Sequence, residues 1–189
     1  DIVINNAGIL RDKSFHNMDA DLFDPVIAVH LRGAVNVTQP AWKIMREQGY
    51  GRIVSTSSAA GIFGNFGQAN YGAAKMGLVG FTNVLAVEGA KFNIKANAIA
   101  PLALTRMTED ILGGLGEKLQ PGLISPLVTY LAHESSEPTG RVFSVGGGRD
   151  HRRPAPGSAG QSQQERRQAE ADAARVVKQR RLRQSDAGV

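Results

Sequence analysis

An α/β fold, a doubly wound parallel sheet with helices on both faces, is predicted by three observations. Short runs of branched apolar residues alternate with longer stretches of helical spacing along residues 1–149. Each run ends in residues that suit a turn: Asn5-Asn6-Ala7-Gly8, Ser55–Ser58, Pro101 and Gly146–Gly148. The composition, 42% hydrophobic with 21% charged and 22 glycines, is that of a core-forming chain and excludes collagen, coiled coil and wholesale disorder. The order strand, helix, strand, helix, strand, helix, strand calls for parallel strands joined by crossover helices.

Taken in order, Asp1–Asn5 is a strand and Asn6-Ala7-Gly8 a turn. From Asp19 to about Gln48, apolar residues (Leu22, Phe23, Val26, Ile27, Leu31, Val35, Trp42, Met45) recur every three to four positions, so this stretch is helical. Asp19 or Asp21 can cap its start and Gly49 stop it; Pro25 suits a first turn, and Pro40 predicts a kink or a break between two helices. Gly51–Ser58 is a strand with a hydroxyl-rich end, and a loop carrying Gly61, Gly64 and Gly67 follows it. Residues 71–90 form an Ala/Gly-rich helix, and Ile94–Ala100 a strand stopped by Pro101. Residues 125–133 form a short helix and Arg141–Val145 the last strand.

The chain divides near residue 150. Residues 1–150 carry 13 basic and 13 acidic side chains, whereas 151–189 carry 9 and 4, so the whole net charge of +5 sits in the tail. That tail has no aromatic residue and is crowded with Gln, Arg, Ala, Pro and Gly; it reads as a basic, low-complexity segment, disordered or marginally helical. Arg180-Arg-Leu-Arg183 leaves a nucleic-acid arm as a lesser reading, weakened by modest charge and missing aromatics. There is no cysteine, hence no disulfide or thiol nucleophile, and no signal-like start or membrane-length apolar run; a cytoplasmic location is expected. His16, His30, His133 and His151 show no paired spacing, so no metal site is expected.

In a parallel sheet, ligands lie beyond the carboxyl ends of the strands. Asn5–Gly8, Ser55–Ser58 and Pro101–Thr105 should therefore meet in one cleft. Tyr71 and Lys75 are four apart on one helix and share a face. An ammonium beside a phenol favours the phenolate, and a serine hydroxyl can hold a substrate oxygen where the phenol passes its proton. That chemistry suits proton transfer at a carbonyl or alcohol oxygen. Tyr-x-x-x-Lys alone is a weak signal that also describes a core tyrosine and a solvated lysine.

The surrounding set makes it stronger. Asn5-Asn6-Ala7-Gly8, Ser58, Tyr71-x-x-x-Lys75 and the Pro101–Thr105 loop, in this order and at these separations, resemble the short-chain dehydrogenase/reductase superfamily over Asp1 to about Arg149. Val29-His30-Leu31-Arg32-Gly33, the Gly61–Tyr71 run and Ser144–Gly148 look like the (3R)-hydroxyacyl-CoA dehydrogenase group found in peroxisomal D-bifunctional (multifunctional) enzymes and bacterial relatives. The resemblance implies a Rossmann-like sheet represented by its C-terminal part, strands four to seven. It implies an NAD(P)-dependent alcohol/ketone oxidoreductase acting on a 3-hydroxyacyl or 3-oxoacyl thioester, with NAD favoured and NADP open, and a homo-oligomer. It implies Tyr71 as acid/base, Lys75 on the ribose, Ser58 on the substrate oxygen, Asn5, Ala7 and Gly8 beside the adenosine half, Pro101 and Thr105 at the nicotinamide. His30 stands where most members carry an asparagine that supports the lysine through a water; it is either a relay titrating near 6–7 or a histidine bonded to backbone at a helix kink.

The family's Gly-rich strand–turn–helix, which holds the pyrophosphate, is not found before or among these residues, so the 189-residue chain is expected to be an impaired or inactive dehydrogenase. A non-catalytic dimerisation module is the alternative. Phe63, Phe66 and residues 102–119 are expected to line the substrate side.

Overall fold

The computed structural model describes residues 1–103, 105 and 119–153. Five strands form one sheet in the order β1 (Ile2–Asn5), β2 (Gly51–Thr56), β3 (Ile94–Leu102), β4 (Val142–Gly146), β5 (Arg149–Arg153). The first four are parallel, and β5 returns antiparallel against β4. The helices are α1 (Ala20–Ile27), α2 (Gly33–Gln48), α3 (Ala59–Phe63), α4 (Ala69–Gly89) and α5 (Ser125–Ala132).

The core lies on both faces, as a doubly wound sheet requires. Val3, Ile53, Ile94 and Ala96 pack with Met45 of α2 and Leu85 and Ala86 of α4, with Trp42 and Phe81 at the margin. Val54, Ile99, Phe143 and Val145 point the other way and pack with Leu131, Leu127 and Val128 of α5. Alternation along β2 thus sends Ile53 to one layer and Val54 to the other. Strand β1 lies at the sheet edge: Val3 is buried, while Ile2 and Ile4 on its opposite face are 52% and 43% exposed.

The predicted helix over 19–48 is one rod interrupted at a place other than Pro40. Asp19 caps α1 by accepting from the Leu22 amide at 3.0 Å. At Ala28–Arg32 the backbone widens into a π-helical turn, in which the Gly33 amide reaches back to the Ala28 carbonyl. Helix α2 then runs unbroken through Pro40, which is exposed, so the carbonyl freed by the missing N–H can turn to water. Pro25 lies beyond the first turn of α1, as its sixth residue. Gly49 ends α2 in the left-handed conformation (φ 69°).

Pro101 does not stop β3. The strand pairs with β2 only as far as Ile99, and from there to Leu102 it has β4 alone as neighbour, so a residue without an amide hydrogen is tolerated on the open side. Two elements fall outside the sequence expectation. The five-residue α3 sits in the glycine-containing loop, and β5 carries the sheet to Arg153, past the boundary drawn at 149/150. The basic tail beyond it lies outside the described residues.

Candidate active site

The parallel register brings the carboxyl ends of the strands to one rim: Asn5 is opposite Ser55, and Thr56 opposite Ile99. Asn5 donates its amide to Thr38 Oγ1 (3.1 Å) and Ser55 Oγ (3.3 Å), tying β1 to α2 and β2. Asn6 accepts from Thr56 Oγ1 at 2.9 Å. Directly after β2, Ser58 caps α3, its Oγ accepting from the Ala60 amide at 3.2 Å. Helix α4 starts a few residues later and runs back beneath β2 and β3. A Cβ on Gly61 would come within 2.8–3.0 Å of Lys75 Cβ and the backbone beside it, so glycine there lets α3 touch α4 at the functional turn.

Tyr71, in the first turn of α4, is half-buried. The Ser58 side chain stands close enough to the phenol to draw its pKa down. One turn on, the Lys75 ammonium lies 5.4 Å from the Tyr71 ring centre and donates to the Thr56 carbonyl at 2.6 Å. Lys75 is buried, with 3% of its surface exposed, and burial lowers its pKa to about 8. Ser57, the neighbour of Ser58, donates to the Lys75 carbonyl at 2.8 Å and locks α4 against the end of β2.

Tyr71 differs from the sequence expectation. Its pKa is raised, first by burial and then by the nearby Asp12 carboxylate, against a lowering from the Ser58 side chain. The Lys75 ammonium, expected to favour the phenolate, also donates to a backbone carbonyl and has its charge weakened by burial, so it does not offset the burial of the phenol.

The π-helical turn delivers His30 to the same site. The ring is buried and meets Tyr71 edge to face, with centroids 5.1 Å apart and planes at 87°. Its Nε2 lies 2.8 Å from the Ile9 carbonyl oxygen and 3.1 Å from the Ile9 amide nitrogen; one tautomer donates to the first, the other accepts from the second. Nδ1 is buried without a hydrogen-bond partner among the described residues. Burial lowers the His30 pKa from its ordinary value, the Ile9 hydrogen bond works against this, and the Lys75 charge adds to the lowering. Gly8 packs directly on this ring: a Cβ there would stand 2.5 Å from His30 Cε1.

Of the remaining predicted residues, Ala7 is exposed beside this ring and Pro101 lies half-buried on the rim. Thr105 is exposed at a bend. Phe63 and Phe66 are 44% and 75% exposed; residues 104 and 106–118 of the expected lining lie outside the described residues. Sequence reasoning missed Asp12, Gln68 and Asn70, and gave Ser57 no part of its own within Ser55–Ser58. Asn70 is fully buried: its amide donates to the Arg11 and Leu22 carbonyls (both 2.8 Å) and its oxygen caps the Tyr71 amide (2.7 Å). The available signal was two amide side chains immediately before a candidate catalytic tyrosine. No group of three or more metal-ligating side chains occurs among the described residues.

Comparison with known proteins agrees with this architecture. Residues 1–113 match the family model described as short chain dehydrogenase. The chain is 54% identical over 151 residues to a short-chain type dehydrogenase/reductase of Mycobacterium tuberculosis, covering 79% of this chain and 53% of that protein. It is 41% identical over 160 residues to an acetoacetyl-CoA reductase of an Acinetobacter strain, covering 78% and 64%. Among solved structures, full-length peroxisomal multifunctional enzyme type 2 of Drosophila melanogaster superposes with a TM-score of 0.73 at 43% identity, covering 84% of this chain and 29% of that one. The chain thus spans about half the length of the M. tuberculosis relative.

Proposed function

This chain belongs to the short-chain dehydrogenase family, and on that footing we propose that it carries the proton-transfer half of an NAD(P)-dependent oxidoreductase site interconverting a secondary alcohol and a ketone in a 3-hydroxyacyl or 3-oxoacyl thioester. The observation that carries the reading is the meeting of Ser58, Tyr71 and Lys75 at the sheet's ligand-facing rim. The name of the Acinetobacter relative supports a thioester substrate, and exposed Phe63 and Phe66 suit an apolar acyl group.

The residues present fit the nicotinamide end of a dinucleotide. Lys75 spends one of its three N–H donors on Thr56 and keeps others for ribose hydroxyls. Ala7 and Gly8 offer backbone with little or no side chain, and Asn5 stiffens the strand end beside them. Pro101 and Thr105 would hold the carboxamide of the nicotinamide. When bound, the dinucleotide supplies or accepts the hydride. In reduction, the Ser58 hydroxyl donates to the substrate carbonyl oxygen and fixes it against Tyr71. The phenol passes its proton to that oxygen, and the Lys75 charge stabilises the phenolate left behind. In oxidation the phenolate takes the hydroxyl proton back. His30 braces the Gly8–Ile9 backbone against the Tyr71 ring.

Substituting Tyr71→Phe tests this directly. The expected result is a fall of at least ~10³-fold in kcat/KM for NAD(P)H-dependent reduction of acetoacetyl-CoA, with unchanged circular dichroism. Activity within tenfold of the parent chain rules the role out. A second reading, a non-catalytic assembly module, draws on Val37 and Ile44 of α2 and Val84 and Val87 of α4, apolar side chains 54–79% exposed. It is favoured if the parent chain forms stable dimers in sedimentation yet turns over no thioester. The two readings share a homo-oligomer.

A further inference from the structure

Asp12 sits in the segment between β1 and α1 and is far from Tyr71 in sequence, yet three separate contacts hold it at the amino end of α4. Gln68, the buried residue just before the helix, donates from Nε2 to Asp12 Oδ2 at 2.7 Å. Asn65 donates to Gln68 Oε1, also at 2.7 Å, so the Gln68 amide is fixed from both ends. The backbone is tied as well: the Lys13 amide donates to the Gly67 carbonyl (2.8 Å), and Asn70 donates to the Arg11 carbonyl on the other side of Asp12. An exposed aspartate held this firmly, three residues from the position of Tyr71 through Gln68, is more than a solvated charge.

We propose that Asp12, pinned by Gln68, is a positioning residue for the chemistry at Tyr71: a fixed negative charge at the amino end of α4 that opposes Lys75 and keeps the phenol in its proton-donating form. Four groups face Tyr71 among the described residues. Lys75 comes from the next turn of α4, His30 from the π-helical turn, the Ser58 hydroxyl from the start of α3, and Asp12 from the segment between β1 and α1. Only Asp12 brings negative charge, and its influence on the phenol is upward. The Asp12 charge acts in the same direction as burial of the ring, so the tyrosine enters carbonyl reduction protonated. The proposal rests on the reading of Tyr71 as proton donor.

Asp12→Asn is the decisive variant, because an asparagine oxygen still accepts from Gln68 while the charge is gone. The chain has three tyrosines, so uniform 3-fluorotyrosine labelling gives three ¹⁹F signals, and Tyr71→Phe identifies the one of interest. Fluorination also brings phenol titration into a range where the fold survives. The expected result in the full chain is a downward shift of the Tyr71 midpoint by about half a unit in Asp12→Asn. A smaller shift in the same direction is expected in Gln68→Ala, where the carboxylate is present but no longer held. In turnover, alcohol oxidation, which needs the phenolate, should begin at correspondingly lower pH in Asp12→Asn. A Tyr71 midpoint that is unchanged or higher in Asp12→Asn overturns the proposal. If that variant fails to fold, an unchanged midpoint in Gln68→Ala does so instead. The titration needs neither cofactor nor substrate, so it stays readable even if the Tyr71→Phe assay rejects the dehydrogenase reading.

Discussion

Two buried cations sit at opposite ends of β2, and they are held in opposite ways. Arg52, near the amino end, is 1% exposed and uses four of its five N–H donors: Nε donates to the His133 carbonyl, Nη1 to the Gly51 and Asn93 carbonyls, and Nη2 to the Glu134 carbonyl, at 2.7–3.2 Å. The Tyr50 ring lies 4.5 Å from its central carbon. Lys75, at the carboxyl end, is almost as buried but has a single carbonyl among the described residues. The fork of arginine suits a fixed joint among several backbone oxygens, whereas a lysine ammonium with unused donors is a charge waiting for another partner. One end of the sheet is built for stability. The other keeps unspent bonding capacity at the rim of the proposed site.

Changes at three positions would break or sharpen this contrast, taken from the largest effect down. Arg52→Met should lower unfolding free energy by about 3 kcal/mol or more, because it strands several buried carbonyls at once. Arg52→Lys should recover little of that, since one ammonium cannot span four oxygens. Urea unfolding measures both, and a loss below 1 kcal/mol for the methionine variant would mean that the joint is dispensable.

Lys75→Met should do the reverse and stabilise the fold while abolishing turnover. A folded pKa of about 8 against a model value of 10.5 means that burying the ammonium costs about 3 kcal/mol below pH 8. Losing the bond to Thr56 returns ~1 of that, leaving a gain of about 2 kcal/mol. The sign also fixes the pH dependence. Between about 8 and 10.5 the unfolded chain holds a proton that the folded one has released, so this group makes stability rise with pH through that window. Melting curves in which the methionine variant lacks this rise would agree; identical pH slopes would not.

The smallest effect concerns His30. Its folded pKa is lowered, so the unfolded chain binds a proton first as pH falls below 6.5, and stability declines there. His30→Asn should flatten that decline by less than about 1 kcal/mol. It should leave the pH–rate profile without a lost step near 6–7. A step that vanishes with the histidine would restore the relay.

Much of the site was legible because its spacing is local or follows from strand direction. Tyr71 and Lys75 are one turn apart, and Ser58 and Asn5 end parallel strands, so topology alone gathers them. The π-helical turn was not legible: the apolar spacing over 19–48 continues across it, and one extra backbone residue leaves no mark in a hydrophobic pattern. Pro40 and Pro101 were read as breaks because sequence cannot show which carbonyls and strand edges are already open to solvent. The direction of the Tyr71 shift depends on where Lys75 turns and on Asp12 arriving from a distant segment. Neither is a matter of spacing. Strand β5 was hidden because Arg149–Arg153 has none of the apolar alternation that marks a half-buried strand.

The widened turn at Ala28–Arg32 has a consequence for how the rod around it can vary. One additional residue rotates everything downstream by about 100° relative to a plain α-helix. Helix α1 can therefore face α4 while α2, continuing the same axis, faces β1 and β2. Deleting a single residue there would restore regular winding and still swing Thr38 away from Asn5 and Met45 out of the core. A chain edited in this way would keep its helix content and lose the register on which both halves of the molecule agree.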